Sequence, residues 1–272
     1  MPDISNLIQK AAEIRRDVIN MLCEAGSGHL GGSLGLADVF TTLYFYELRH
    51  NSGNAEWHAR DRVVLSIGHV APVLYATLAH AGYFHPKELM QLRKEGSRLQ
   101  GHPSLSHKLP GIETSSGSLG QGLSIAVGMA LAMNIEKSNR KIYCILGDGE
   151  LQEGSVWEAA MSAAHYRMDN LLAIVDRNEV QIDGPTRNVM DIEPLAAKWE
   201  AFGWQVFVCR GNDISDLIRT FDQVRSIKQK PSVIIANTNM GRGVRSIEGN
   251  YQWHGKVPTR EQADLFIKEL GF

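Results

Sequence analysis

The sequence predicts an α/β fold: a mainly parallel sheet with helices on both faces. Three observations carry that prediction. Five short apolar runs, each rich in Val, Ile and Leu without alternation, read as strands covered on both sides. Segments with three- and four-residue apolar spacing lie between them, so strands alternate with helices. Glycines and polar residues gather just after the strands, at the edge where such sheets bind ligands.

The elements follow in order. Ile4, Leu7, Ile8, Ala11, Ile14, Val18, Met21 and Leu22 recur at helical spacing and predict an amphipathic helix of about 20 residues, ending at Gly26-Ser27-Gly28. Leu36, Val39, Phe40, Leu43 and Tyr44 predict a second helix over 36–48. Strands are predicted at 62–66, 142–146, 171–175, 205–208 and 232–236, and helices near 70–82, 119–136, 154–167, 191–202 and 213–228. No internal repeat, low-complexity stretch or Pro/Ser-rich linker interrupts the pattern, so a single domain over 1–272 is expected.

Composition narrows the function. Of 272 residues, 43% are hydrophobic and 21% charged, enough to bury a core and too apolar for disorder. Lys and Arg number 28 against 30 Asp and Glu, a net charge of −2, which leaves no basic field for nucleic acid or an anionic membrane. No uncharged apolar run approaches the roughly 18 residues of a membrane helix. The N-terminus carries neither a basic stretch nor an apolar signal core, so a cytoplasmic location is expected. Cys23, Cys144 and Cys209 are odd in number and widely spaced, which predicts free thiols rather than a disulfide framework or a zinc site.

The chemistry concentrates at the predicted strand tips. Gly147-Asp148-Gly149 follows the 142–146 strand, and by itself Gly-Asp-Gly is ordinary turn chemistry. The next strand, however, runs into Asp176-Arg177-Asn178. Asp148 and Asn178 are one strand–helix–strand unit apart, and a right-handed crossover brings both tips to the same edge. A carboxylate, an amide oxygen and a nearby backbone carbonyl make half of an octahedral oxygen shell. Diphosphate oxygens and water complete such a shell, which is the habit of Mg²⁺.

Gly147-Asp148-Gly149 and Asn178 together resemble the thiamine diphosphate signature. The surrounding segments resemble the transketolase family, specifically the separately encoded N-terminal subunit of split transketolases. They are SGHLGGSLGLAD at 27–38, DRVVLSIGHVAPVLYA at 61–76, GHPSLSHKLPGIETSSGSLGQGLSIAVGMALA at 101–132, GDGELQEGSVWEAAMSAAHY at 147–166, DRNEVQIDG at 176–184 and GRGVRSIEGNYQWHGKVP at 241–258.

The resemblance implies roles. Asp148, Asn178 and the main-chain carbonyl of Val180 would ligate Mg²⁺ (or Ca²⁺), and Gly149 would meet the diphosphate of thiamine diphosphate. Gly117, Ser118 and Leu119 would lie along its rings. His69 would contact the diphosphate end, and His254 both diphosphate and substrate. His29 would bind the sugar near the reacting carbon, with His102 in the same pocket. Glu153 resembles an acidic residue at the subunit interface beside the cofactor. A cluster of imidazoles suits ketol transfer, which moves protons between oxygens near neutral pH. His50, His58, His80, His85, His107 and His165 are expected to be ordinary surface or core residues.

The resemblance covers only the diphosphate-binding domain of a full-length transketolase. The glutamate that the family sets against the aminopyrimidine, and the residues that grip sugar phosphates, belong to domains without a match here. Activity is therefore expected only with a C-terminal subunit, in an α2β2 assembly. Apolar interfaces are expected at 36–48 or 123–133, each of which could equally be core. Two positions depart from the pattern. Glu179 stands where Gly is frequent, so the backbone must tolerate the turn without it. Arg177 stands beside the metal ligand and adds positive charge near a diphosphate. The alternatives are a deoxyxylulose-phosphate synthase-like activity, a transketolase subunit for unusual sugars, and a non-catalytic diphosphate-binding module.

Overall fold

The computed structural model describes residues 2–272. Asp3 caps the first helix, α1 (Ile4–Ala25), by accepting from the Asn6 amide at 3.1 Å. Its buried stripe includes Leu7, Ala11, Ile14, Val18 and Leu22, as the spacing predicts. The predicted 36–48 helix is broken. A turn earlier, α2 (Leu30–Gly35) forms from a segment with three glycines, whose poor propensity is overridden by packing. After α2 come α3 (Ala37–Thr42) and a wide π-type turn over Leu43–Glu47.

The main sheet contains β1 (Arg62–Leu65), β2 (Ile142–Gly147), β3 (Leu171–Arg177), β6 (Gln205–Arg210) and β7 (Ser232–Asn237). They lie in the order β1-β2-β3-β7-β6 and every pairing is parallel. Two short strands, β4 (Val180–Gln181) and β5 (Gly184–Pro185), form a small antiparallel hairpin after β3. Two-residue strands carry no periodicity and escape pattern reading.

Side chains alternate between two cores. Val63, Leu65, Tyr143, Ile145, Leu172, Ile174 and Ile234 face α1, α2, α3, α4 (Ala71–His80) and α9 (Ile214–Val224). Val64, Cys144, Leu146, Ala173, Val175, Val233 and Ile235 face α5 (Gly122–Ile135), α6 (Gly154–His165) and α8 (Leu195–Ala201). The expected double coverage therefore holds for four strands. It fails for β6, an edge strand whose Gln205, Val206 and Phe207 are half-buried and whose Val208 is exposed. A short α7 (Thr186–Val189) follows the hairpin. The chain ends in α10 (Arg260–Glu269), started by a Thr259/Gln262 capping box; this helix is not among the predicted elements, although T-x-x-Q is a start signal.

Of the two expected interface segments, 36–48 is core: Leu36, Val39, Phe40 and Leu43 are fully buried. The 123–133 segment differs. Helix α5 is apolar on every side, yet Ser124, Gly128 and Ala132 are exposed and Ile135 is 75% exposed, next to α6, whose Met161 is 55% exposed. All three cysteines are free thiols. Among the described residues no helix is long and apolar enough to cross a membrane.

Candidate active site

The tips of β2 and β3 are held side by side. Gly147 is in register with Asp176, and the Asp148 amide donates to the Asp176 carbonyl at 3.1 Å. One Asp148 carboxylate oxygen accepts from the Gly149 amide at 2.8 Å and the other from the Glu179 amide at 2.6 Å. The Asn178 Nδ2 donates to Asp176 Oδ2 at 2.8 Å, which leaves Oδ1 as its acceptor atom; the Val180 amide donates to that oxygen at 3.0 Å. The Thr238 hydroxyl donates to the other oxygen of Asp176. Each of these oxygens keeps a lone pair for a further partner.

The electrostatics of this corner are unusual. Asp148 is 3% exposed and Asp176 1% exposed, and among the described residues neither forms an ion pair. Burial, reinforced by the Asp176 charge, pushes Asp148 up to about 7; burial pushes Asp176 up to about 6. A cation between the strand tips would remove that penalty. Among the described residues no group of three or more His, Cys, Asp or Glu forms a metal cage. One carboxylate, one amide and backbone oxygen instead match a hard cation that takes most of its ligands from phosphate and water.

Glu179 adopts a φ of 63°, a left-handed conformation that costs a non-glycine residue about 1 kcal/mol or more. Its amide is thereby committed to Asp148 and its carbonyl to the Thr186 amide at 2.9 Å, so the turn is secured without glycine. Arg177 brings positive charge beside the strand tips, where it works against the upward shift of Asp148. Its guanidinium pairs with Glu193 at 2.7 Å and Glu179 at 2.8 Å and donates to Asn237, so its charge is already matched by carboxylates.

Opposite the strand tips stand three of the predicted histidines. The ring centroids of His29 and His69 are 5.0 Å apart, His69 and His254 5.4 Å, and His29 and His254 5.8 Å. They come from three elements: His29 caps α2, His69 lies in the turn after β1, and His254 follows the Tyr251–Trp253 turn. Burial and the neighbouring imidazoles push His29 down to about 4 and His69 to about 3, and burial lowers His254. Burial thus disfavours the charged form of all three. The Nδ1 atoms of His29 and His254, and the Ser116 hydroxyl, are buried without a hydrogen-bond partner. Such orphaned atoms call for a ligand.

These groups line one cleft of about 370 Å³, which His29, His69, His102, Gly117, Leu119, Asp148, Gly149, Glu153, Asn178, Val180 and His254 share. Ser118 is exposed and does not line it. The loop under Leu119 needs glycine twice. Gly117 has a φ of 155° and lies against the His102 ring, while Gly120 has a φ of 83° and a Cβ there would stand 2.7 Å from Glu153 and Ser155 atoms. The remaining histidines lie outside the cleft. His50 bonds the Tyr44 carbonyl, His80 pairs with Asp17, and His85 caps its own turn.

Three residues of this site have no role in the sequence reading: Asp176, which orients the Asn178 amide; Thr238, which holds Asp176; and the buried Glu150. A carboxylate at the end of an apolar strand was the available signal for Asp176. Thr238 arrives from β7, and no spacing links it to β3.

Residues 7–272 match the family model described as the transketolase, thiamine diphosphate binding domain. The chain is 40% identical over 267 residues to one of the subunits of the apulose-4-phosphate transketolase of Phocaeicola vulgatus, covering 98% of this chain and 94% of that one. It is 41% identical over 265 residues to a 6-deoxy-6-sulfo-D-fructose transketolase subunit of a Clostridium species, covering 97% and 96%. The solved transketolase of Leishmania mexicana superposes with a TM-score of 0.92 at 31% identity, over 97% of this chain and 41% of that chain. The chain belongs to the transketolase family and carries its thiamine diphosphate binding fold.

Proposed function

We propose that, within this family, the chain is the diphosphate-binding subunit of a split transketolase, one domain over 1–272. It would transfer a two-carbon ketol unit from a ketose to an aldose together with a C-terminal subunit, in a cytoplasmic α2β2 assembly. The observation that carries the reading is the pair of strand-tip oxygen donors, Asp148 and Asn178, with no basic side chain among the described residues paired to them, sharing one cleft with three half-buried histidines. Relatives of equal length are named as subunits, which supports a partner chain. Their named sugars support an unusual ketose, bearing phosphate or sulfonate, as the donor. The apolar exposed face of α5 and α6 supports an interface with another subunit.

The residues present fit thiamine diphosphate with Mg²⁺. Asp148, Asn178 and the Val180 carbonyl would hold the metal, and the Gly149 turn, His69 and His254 the diphosphate. Gly117, Leu119 and Glu153 would border the rings. The bound cofactor supplies the electron sink for breaking the ketose carbon–carbon bond. The chain's own residues do the rest. Neutral His29 has one N–H donor and one acceptor nitrogen, so it can donate a hydrogen bond to a sugar carbonyl oxygen or accept one from a sugar hydroxyl. His254 joins the diphosphate side to the substrate side through its contact with His29. His102, exposed beside Gly117, can add a donor for sugar hydroxyls.

The test is a coupled ketol-transfer assay with thiamine diphosphate and Mg²⁺, run on this chain, on a transketolase C-terminal half from a neighbouring reading frame, and on the mixture. Activity in the mixture alone is expected. Activity in this chain alone would overturn the split reading, and cofactor binding without turnover on any sugar would favour a non-catalytic module.

A further inference from the structure

Glu150 follows the Gly147–Gly149 turn and is 2% exposed, with no ion-pair partner among the described residues. Its carboxylate accepts three hydrogen bonds from three separate segments. One oxygen takes the Ser66 hydroxyl at the tip of β1 and the Gly120 amide at 2.8 Å; the other takes the Gly147 amide at 3.2 Å. The Ser66 oxygen accepts in turn from the Gly122 amide at 3.0 Å, and the Ser155 hydroxyl donates to the Gly120 carbonyl at 2.9 Å. Gly120 thus has both backbone groups claimed from the 150–155 segment. Gly122 is the first residue of α5 and Gly120 precedes its cap, so Glu150 sits at the helix start, where a carboxylate is favoured.

The consequence is geometric. Leu119 and Gly117 line the cleft on a loop that includes two positive-φ glycines. Glu150 and Ser66 fasten that loop to the β1 and β2 tips. The metal corner at Asp148 and Asn178 is held by other bonds, through Asp176, Thr238 and the Glu179 amide. Glu150 touches that corner through the Gly147 amide, but the Asp148 and Asn178 side chains take none of their bonds from it, so the two halves of the cleft rest on largely separate supports.

We propose that Glu150 is a positioning residue, which acts through Ser66 and Gly120 to hold the 117–122 loop against the ring-bearing half of the cofactor, leaving the metal–diphosphate half to its own supports. This rests on the cleft's assignment to thiamine diphosphate. Its distinguishing property is a split in affinity. Losing a charge-assisted bond of this kind should weaken ring-dependent binding by about tenfold or more.

The experiment is calorimetric titration of the full chain, assembled with its C-terminal subunit, using two probes at saturating Mg²⁺: thiamine diphosphate and inorganic diphosphate. For Glu150→Gln we expect thiamine diphosphate affinity to fall about tenfold, with inorganic diphosphate affinity within about twofold of wild type. The cofactor KM should rise more than kcat falls. Equal losses for both probes would reduce Glu150 to a structural role and overturn the proposal, as would no loss for either. Should Glu150→Gln fail to fold, Ser66→Ala carries the same test, with a smaller selective loss expected and an equal or absent loss overturning it. Failure of the wild-type assembly to bind thiamine diphosphate would instead sink the functional reading itself.

Discussion

Two clusters at opposite edges of the sheet treat buried charge in opposite ways. At the edge where the strands begin, carboxylates meet cations. Glu47 accepts the Tyr143 hydroxyl at 2.8 Å and pairs with Arg225 at 2.6 Å and Lys141 at 3.5 Å. Asp61 accepts the Arg49 and Lys141 amides at 2.9 and 2.8 Å, and Glu113 pairs with Arg60 and Arg62. At the edge where the strands end, Asp148, Glu150 and Asp176 are as deeply buried and none forms an ion pair among the described residues. The first arrangement is complete within the chain. The second is complete only with something added, and this marks it as the site.

The sharpest way to break this comparison is Asp148→Ala. It should abolish Mg²⁺-dependent cofactor binding in the assembled enzyme, and calorimetry with and without Mg²⁺ reads it directly. Unchanged Mg²⁺ dependence would remove Asp148 from the metal. The metal-free chain should change little in stability, because removal of a buried charge offsets the loss of its bonds to the Gly149 and Glu179 amides.

Glu113→Ala makes the opposite change at the other edge. It strands Arg60 and Arg62 in a site where the Glu113 side chain is 8% exposed, and should cost about 3–5 kcal/mol of unfolding free energy. Urea titration measures this, and Mg²⁺ affinity should not move. A shift in Mg²⁺ affinity would erase the distinction between the edges.

His29→Ala should then lower kcat by about 10²-fold or more, with a smaller change in cofactor affinity. Steady-state kinetics at varied cofactor decides it, and the reverse result would move His29 from the substrate to the cofactor.

A pH series yields a smaller effect. His69 binds its proton at about 3 in the folded chain, against 6.5 as its ordinary value. Between these values the unfolded chain holds more protons, so stability is intact above pH 6.5 and falls as pH drops below it. The loss at pH 5 should be about 1–2 kcal/mol, and His69→Gln should flatten that limb of a Tm-versus-pH curve. An unchanged slope would show that His69 is not the group being titrated.

How far the sequence could be read depends on the range of each interaction. All five strands of the main sheet and α1, α4, α5, α6, α8 and α9 were legible because apolar runs and helical spacing are strong local signals. Helix α2 was not, because its glycines argue against a helix that only packing sustains. The Glu193 partner of Arg177 was not legible, because it lies sixteen residues on, across a hairpin with no sequence signature.

The same division holds at the site. Asp148 and Asn178 were readable because a strand–helix–strand unit has a fixed handedness, so chain spacing alone puts two tips together. The apolar runs likewise settled which faces are buried, since solvent exclusion depends mainly on residue type and period. Which imidazoles would stand within 6 Å of one another, each from a different loop, and whose Nδ1 atoms would be left without partners, depended on the closing of the whole sheet. So did the lack, among the described residues, of a basic side chain paired with Asp148, and the three-way grip of Glu150. Burial and hydrogen-bond geometry are properties of the folded neighbourhood, and they convert an ordinary carboxylate into either a structural anchor or a ligand.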